Sequence, residues 1–360
     1  MKHCFILGTR PEIIKLYSCL KYAEQNNLDY FVIHSNQHYS TNMDKVFFDE
    51  LKLSEAKYNL GINGGNHGEM TGKMMIEIEK ILLNEKPDIV YVQGDTNTVL
   101  AGGLVASKLG IKVAHIEAGL RSYDKSMPEE INRICTDHLS DFLFSPALRQ
   151  KEILLKENID ENKIFVVGNT VVDAVYMIKE LSKSQTNKVL DKYKIKENDY
   201  ILLTSHRPSN VDNKENIENI LKALIELSNI SAKKILFPIH PRTKNNIIKF
   251  GLEGLLDSFI VIEPVGFFDN IILESNAYFI ATDSGGIQEE ACILQKRTLI
   301  LRENTERPET LEVGGAILVG NNKEKIIQAF RELEKKDINW YNPFGDGKSA
   351  EKIFDLSRLK

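Results

Sequence analysis

Short β-branched runs alternate with amphipathic stretches along this chain of 360 residues. The alternation is that of βαβ units, in which helices cover a parallel sheet. In the first half the apolar runs predict strands at 3–7, 30–34, 88–93, 112–116, 142–144 and 164–167. Helical periodicity fills 11–25, 68–84, 97–109 and 147–157. A second series predicts strands near 200–204, 235–239, 259–262, 278–281, 298–301 and 316–319. Its helices fall at 214–228, 243–251, 266–275, 286–294 and 322–336. Between the two series, 173–193 is helical in pattern and increasingly charged, and Ser182, Ser184 and Gln185 interrupt it. Such a segment reads as a connection between domains. The chain is also longer than one core commonly holds, which again predicts two domains. In the tail, Ile353, Phe354 and Leu356 share a helical spacing that suits docking on one of them.

The polar residues are as ordered as the apolar ones. Past Phe5–Leu7 come Gly8, Thr9, Arg10, Pro11 and Glu12, and then Lys15. Past Ile89–Val92 come Gly94, Asp95 and Thr96, and past Val113–Ile116 come Glu117 to Arg121. In the second half, Ile201–Leu203 leads into Ser205, His206 and Arg207, and Tyr278–Ala281 leads into Thr282 to Gly286. Parallel α/β sheets bind ligands outside the carboxyl ends of their strands. Carboxylates, cations, a histidine and glycines at five such ends point to one site built on two sheets.

Net charge narrows the ligand. At −5 the chain offers no broad cationic face to nucleic acid, so any cationic pocket is local. No apolar run approaches the roughly 20 residues of a membrane span. Residues 3–7 are too short for the apolar core of a secretory signal. Cys4, Cys19, Cys135 and Cys292 lack C-x-x-C spacing and read as reduced core thiols of a cytoplasmic protein, not as zinc ligands or a disulfide framework.

The turn at 8–15 joins a strand to a helix, with Pro11 suited to the first helical turn. Arg10 and Lys15 there read either as phosphate donors at a helix N-terminus or as solvated cations. Neither a Walker loop nor G-x-G-x-x-G is present, which argues against nicotinamide and flavin. Asp95 and Glu117 end consecutive strands and face the crevice, while Glu129 and Glu130 follow Pro128 and either serve chemistry or favour the helix dipole. Converging carboxylates suit general acid/base work or a cationic, sugar-like transition state. His206, beside Arg207 at a strand end, reads as a phosphate contact or an acid, and His240 holds a similar place. Gln37, His38 and Tyr39 follow a strand as turn residues or ligands. In Thr282 to Glu290, Gly285 and Gly286 let a phosphate approach the opening of a helix, Ser284 can donate to it, and Glu290 can reach a ribose diol.

Together these stretches resemble the non-hydrolysing UDP-N-acetylglucosamine 2-epimerases over nearly the whole chain. The carriers are G-T-R-P-E-x-x-K at 8–15, Q-G-D-T-N-T at 93–98, H-I-E-A-G-L-R at 115–121 and P-E-E-x-N-R at 128–133. They continue with G-N-T-V-x-D at 168–173, S-H-R at 205–207, T-D-S-G-G-I-Q-E-E at 282–290 and T-E-R-P-E at 305–309. The resemblance implies an α/β, GT-B-like fold: two Rossmann-like domains with parallel sheets and an active site in the cleft between them. It divides the chain into 1–170, joined by a C-terminal helix at 346–360, and a UDP-binding domain at 171–345. It implies a homodimer that acts on a UDP-sugar without metal or cofactor.

Carried over by position, Asp95, Glu117 and Glu129 match the catalytic carboxylates, and His206 the diphosphate-side histidine. Arg10, Lys15, Arg133, Ser284, Gly285, Gly286, Glu290 and Arg307 match substrate-binding positions, with Glu290 on the ribose. The loop 265–270 falls where the family holds uracil. Gln37, His38 and His240 match parts of a second UDP-N-acetylglucosamine site that activates some bacterial members. The stretch 63–67 lacks the arginine found there, and the loop 122–127 is short, so activation stays open. The reaction implied interconverts UDP-N-acetylglucosamine and UDP-N-acetylmannosamine by elimination and re-addition of UDP. The alternatives are a hydrolysing 2-epimerase, a 2-epimerase of a modified UDP-sugar, a GT-B glycosyltransferase and a non-catalytic UDP-sugar sensor.

Overall fold

The computed structural model describes residues 1–36, 48 and 51–358. The chain forms two compact units, Met1–Ala174 with Phe344–Lys360, and Val175–Pro343. No helix among the described residues is long and apolar enough to cross a membrane.

In the first unit, seven parallel strands lie in the order β3-β2-β1-β4-β5-β6-β7. They are β1 (Lys2–Leu7), β2 (Asp29–His34), β3 (Tyr58–Asn59), β4 (Ile89–Gln93), β5 (Lys112–Ile116), β6 (Phe142–Ser145) and β7 (Ile164–Val166). Their helices are α1 (Arg10–Gln25), α2 (His67–Glu85), α3 (Asn97–Lys108), α4 (Pro128–Leu139) and α5 (Leu148–Lys156), and α6 (Thr170–Ser182) starts in this unit and ends in the second. The continuous apolar runs of β1 and β4 are buried along their length, as a parallel sheet covered on both faces requires. Cys4, Ile6, Val90 and Val92 form one core with Met74 and Ile78 of α2 and Val99 of α3.

The second unit repeats the plan with six strands in the order β10-β9-β8-β11-β12-β13. They are β8 (Tyr200–Thr204), β9 (Lys234–Pro238), β10 (Ile260–Ile262), β11 (Phe279–Thr282), β12 (Thr298–Ile300) and β13 (Ala316–Leu318). The helices are α7 (Thr186–Lys192), α8 (Lys214–Ser231), α9 (Pro241–Lys249), α10 (Phe267–Asn276), α11 (Gly285–Ile293) and α12 (Lys323–Glu334).

In both sheets the strand order reverses beside the first strand of the series. Such a switch point leaves the following turns splayed apart and open to ligand. In the first unit it falls between β1 and β4, where Cys4 pairs with Val90. In the second it falls between β8 and β11, where Thr204 pairs with Thr282 and their hydroxyls lie 2.6 Å apart. The turns that leave these strands carry Gly8 to Lys15, Gly94 to Thr96, Ser205 to Arg207 and Asp283 to Gly286.

Some elements differ from the pattern reading. The two-residue β3 is too short to show a period. The helical stretch at 173–193 is broken as read, into α6 and α7, with Ser182 ending α6 and Ser184 and Gln185 in the break at 183–185. Cys135 is exposed on α4 and is not a core thiol, whereas Cys4, Cys19 and Cys292 are buried.

The last helix, α13 (Ser349–Arg358), lies on the first unit. Phe354 is fully buried, with its ring 4.9 Å from Tyr22 and 5.8 Å from Tyr91, which in turn stacks on Phe5 at 4.7 Å. Asp173 caps the helix by accepting from the Ala350 N–H at 2.9 Å, and burial raises its carboxyl above the ordinary carboxylate range. Leu356 stays half-exposed; Ser357 is buried instead and its hydroxyl donates to the Ile353 carbonyl at 2.7 Å. Large-to-small changes at buried phenylalanines cost about 3–5 kcal/mol. Phe354→Ala is expected to lower the stability of the first unit by that amount, read from the urea midpoint of its transition. A loss below about 1 kcal/mol would mean that the helix does not anchor there.

Candidate active site

At the end of β5 the chain turns sharply, and Glu117 takes the left-handed region, with φ of 71°. A residue with a Cβ holds such a conformation at a cost of about 1–3 kcal/mol, and only where its surroundings insist on it. Here they do. The Glu117 N–H donates to the Phe144 carbonyl at 3.0 Å, and the side chain is almost wholly buried. Lys15, one turn into α1, grips both carboxylate oxygens at 2.6 and 2.5 Å. The Gln93 amide at the end of β4 donates to one of them. A buried carboxylate needs such partners, because burying an unpaired charge costs several kcal/mol.

Asp95, two residues past β4, pairs with the Arg133 guanidinium. Arg133 also holds Glu130 at 2.6 Å. Glu130, not Glu129, is the buried member of that pair of glutamates. It accepts from the Ser122 N–H at 2.9 Å, the Ser122 hydroxyl at 3.0 Å and the Tyr123 N–H at 2.9 Å. Burial alone would raise its carboxyl; these donors and Arg133 outweigh that and hold it below the ordinary range. Glu129 is exposed in the first turn of α4 and makes no hydrogen bond or ion pair among the described residues. Asn132 donates to the Asp95 carbonyl at 2.9 Å and fixes the turn from behind.

Beneath Glu117 lies a second buried network. His115 meets Asp137 at 2.6 Å through Nδ1 and the Gly94 carbonyl at 2.8 Å through Nε2, so both ring nitrogens face acceptors. Asp137 also accepts from Arg121 at 2.7 Å and from the Gly119 N–H at 3.2 Å. Arg121 closes on Glu157 at 2.5 Å. The histidine and arginine of H-I-E-A-G-L-R thus set the backbone that carries Glu117.

Glu12 ties the two switch-point turns of the first unit. It is buried, accepts from the Gly8 N–H at 3.1 Å and from the Thr96 hydroxyl at 2.9 Å, and burial pushes its carboxyl up to about 7. Gly8 is required by close packing, since a Cβ there would stand 2.1 Å from the Ser35 hydroxyl. Arg10 opens α1 and is partly buried.

In the second unit, Asp283 plays the corresponding part. Fully buried, it accepts from the Ser205 hydroxyl at 2.8 Å, the His206 N–H at 3.0 Å, the Arg207 N–H at 3.0 Å and the Asn210 amide at 3.1 Å. His206 turns Nδ1 toward Asp283 at 3.3 Å, and about half of its side chain stays exposed. His240 caps α9, its Nδ1 accepting from the Arg242 N–H at 3.2 Å, and its ring lies 6.2 Å from that of His206. Ser284 caps α11 by accepting from the Ile287 N–H. A Cβ at Gly285 or Gly286 would meet nothing nearer than 3.9 Å. The protein's own packing therefore does not call for these glycines, and the opening of α11 stays clear for an anion.

The loop after β12 is fastened to α11. Thr305 donates to Gln288 at 2.7 Å, Gln288 donates to Thr310 at 2.5 Å, and Arg307 pairs with Glu289 at 3.2 Å. Arg302 holds Glu306 at 2.7 Å and keeps its carboxyl near 2. Glu290 faces the interior of the unit beside Glu274 of α10.

Within the first unit the structure joins Lys15 to Glu117 and Arg133 to Asp95. Within the second it gathers His206, His240 and the Ser284–Gly286 turn around Asp283. Gln37 and His38 lie outside the described residues. Gln93, Asp137 and Glu274 were not singled out from sequence, and Glu12, Glu130 and Asp283 were named there without a role of their own being settled. Most stand inside the motifs quoted for the family, and that adjacency was the available signal.

Two parallel sheets, each with charged and hydroxyl side chains at the open ends of its switch-point strands, define a GT-B-like α/β protein. The chain belongs to the UDP-N-acetylglucosamine 2-epimerase family, whose sequence model matches residues 20–358. It is 57% identical over 98% of both chains to a UDP-N-acetylglucosamine 2-epimerase of Methanocaldococcus jannaschii. A solved structure of a UDP-GlcNAc 2-epimerase from that organism, in complex with UDP-GlcNAc and UDP, matches at 56% identity with a TM-score of 0.84 and full coverage of both chains. A UDP-2,3-diacetamido-2,3-dideoxy-D-glucuronate 2-epimerase of Pseudomonas aeruginosa is 38% identical over the whole of both chains.

The Glu12 carboxyl gives the first unit a pH signature. Its value is about 7 in the folded chain against an ordinary 4.5, so the folded state holds this proton more tightly. The resulting stabilisation is complete below pH 4.5 and is lost as pH rises through 7, on the order of 3 kcal/mol across the window. Glu12→Gln is expected to remove this slope from urea-unfolding stabilities measured between pH 4.5 and 8. An unchanged slope would assign it to another group.

Proposed function

We propose that this chain interconverts UDP-N-acetylglucosamine and UDP-N-acetylmannosamine by eliminating UDP and adding it back, with proton exchange at carbon 2. The observation that carries the reading is the pair of carboxylates, Glu117 and Asp95, each held by a cation at a strand end, in a chain so similar to a 2-epimerase solved with UDP-GlcNAc and UDP.

The chemistry requires such groups. The hydrogen on carbon 2 has no adjacent carbonyl and is not acidic. As the C1–O bond breaks and its electron pair leaves with UDP, positive charge grows at carbon 1 and acidifies that hydrogen. A carboxylate takes the proton, the C1–C2 double bond forms, and 2-acetamidoglucal and UDP result. Inversion needs a proton returned to the opposite face as UDP adds back to carbon 1. Two faces call for two acid/base groups, and Asp95, Glu117 and Glu129 are the candidates. A carboxylate gripped by an ammonium at both oxygens, as Glu117 is by Lys15, is held in place for proton transfer. Arg10, His206 and the Ser284–Gly286 turn stabilise departing UDP electrostatically, with Lys15, Arg133 and Arg307 as further substrate contacts and Glu290 on the ribose. The second unit in this reading holds UDP and the first acts on the sugar. The reading includes a homodimer in the cytoplasm and no cofactor, and leaves His240, with Gln37 and His38, as candidates for an activating site.

The similarity to a relative named for a diacetamido uronate keeps a modified UDP-sugar as the second reading. Proton and phosphorus NMR of UDP-N-acetylglucosamine with the protein in deuterated water separates the cases. Deuterium at carbon 2 of both UDP-linked epimers is the expected result. Free N-acetylmannosamine with UDP would mean hydrolysis, and turnover of only the diacetamido uronate would favour the second reading. Glu117→Gln is expected to lower turnover at least about 10²–10⁴-fold while UDP still binds. Near-normal turnover would remove Glu117 from the chemistry.

A further inference from the structure

The second unit buries a carboxyl that no step of the reaction uses. Glu274, on α10, is wholly inaccessible to solvent. Its Oε1 accepts from the Asn270 amide at 2.5 Å, whereas its Oε2 receives no donor. Across from it, within hydrogen-bond contact, is the carboxyl of Glu290 on α11. The phenol of Tyr200, packed behind α10, donates to the Leu273 carbonyl at 2.5 Å and so offers nothing to Glu274. Two carboxylates in contact in a dry interior repel strongly, and the arrangement holds only if one of them keeps a proton. Burial and the Glu290 charge push Glu274 well above the ordinary carboxylate range, which makes it the protonated partner. The Oε2–H of that neutral carboxyl is then available to Glu290. Asn270 stands in the loop and helix start expected to hold uracil, and Glu290 at the position expected to hold ribose, so Glu274 links the two.

We propose that Glu274 is a neutral positioning residue that donates a hydrogen bond to Glu290 and thereby presents the Glu290 carboxylate to the 2′- and 3′-hydroxyls of UDP. The inference rests on the reading of this unit as the UDP-binding one. Without the donor, the Glu290 carboxyl loses this hold on its orientation. Contact with the ribose weakens while the diphosphate and sugar contacts persist.

The test compares the affinities of UDP and 2′-deoxy-UDP, by calorimetry, in the full-length protein and two variants. Glu274→Gln keeps a donor toward Glu290 and an acceptor for Asn270. Glu274→Met keeps the volume and removes the donor. Wild type is expected to prefer UDP over 2′-deoxy-UDP by about tenfold or more, the size of one hydrogen bond to a charged group. Glu274→Gln is expected to retain most of that preference and Glu274→Met to lose it, with 2′-deoxy-UDP affinity changed less than threefold. A purely structural role would weaken both ligands together and leave the preference intact, and that result overturns the proposal. Equal preference in wild type and Glu274→Met overturns it too, with UDP binding itself unaffected. Should Glu274→Met fail to fold, loss of the preference in a folded Glu274→Gln would overturn the proposal by itself, and its retention would support it. A wild type that binds neither UDP nor UDP-N-acetylglucosamine overturns the functional reading, and this proposal with it.

Discussion

Each sheet of this protein depends on one buried carboxylate at its switch point. Where the strand order reverses, two neighbouring turns diverge and leave backbone N–H groups without partners, and buried N–H groups cannot stay unpaired. Glu12 closes that gap between the turns after β1 and β4, and Asp283 closes it between those after β8 and β11. Asp283 collects several donors, Arg207 and Asn210 among them. Glu12 accepts from Gly8, Thr9 and Thr96, and burial still pushes it toward its neutral form. In both units the carboxylate serves the backbone of the turns it joins.

The carboxylates at the other strand ends of the first unit obey a different rule. Glu117 and Asp95 each have a cation close: Lys15 on the one, Arg133 on the other. Replacing such pairs with apolar residues often stabilises a fold. The left-handed backbone at Glu117 adds strain to that cost. Two costs at one residue, each avoidable by an ordinary sequence, suggest that the arrangement answers to chemistry rather than stability. His115, Asp137 and Arg121 are what make it tolerable, because they lock the loop on which Glu117 sits.

How much of this could be read from residues alone depended on distance in sequence. Buried parallel strands announce themselves as unbroken apolar runs, and all but β3 were legible so. The residues at strand ends were legible because topology alone places them outside the sheet. Pairing was not. Gln93 meets Glu117 across two strands, Glu130 reaches back across a loop to Ser122, and Asp283 meets Ser205 across the second switch point. Local pattern distinguishes Glu129 from Glu130 poorly, since both lie in the first turn of one helix; burial, set by tertiary packing, assigns the ion pair to Glu130 and exposes Glu129.

The glycines sharpen the separation between structure and ligand. At Gly8 a side chain would collide with Ser35 and Thr98, so the fold by itself forbids one. At Gly285 and Gly286 it would collide with nothing in the protein, and neither residue adopts a positive φ. Two adjacent glycines at a helix start also raise the conformational entropy lost on folding. A position that costs stability and that neither packing nor backbone geometry demands is explained by what approaches it from outside. At the N-terminus of α11, beside Ser284, a group that needs bare N–H donors and close contact would meet no collision, and a phosphate is such a group. On a protein of net negative charge, backbone dipoles at a helix start also bind an anion without adding a cation that a nearby carboxylate would capture, as Asp95 and Glu117 capture Arg133 and Lys15.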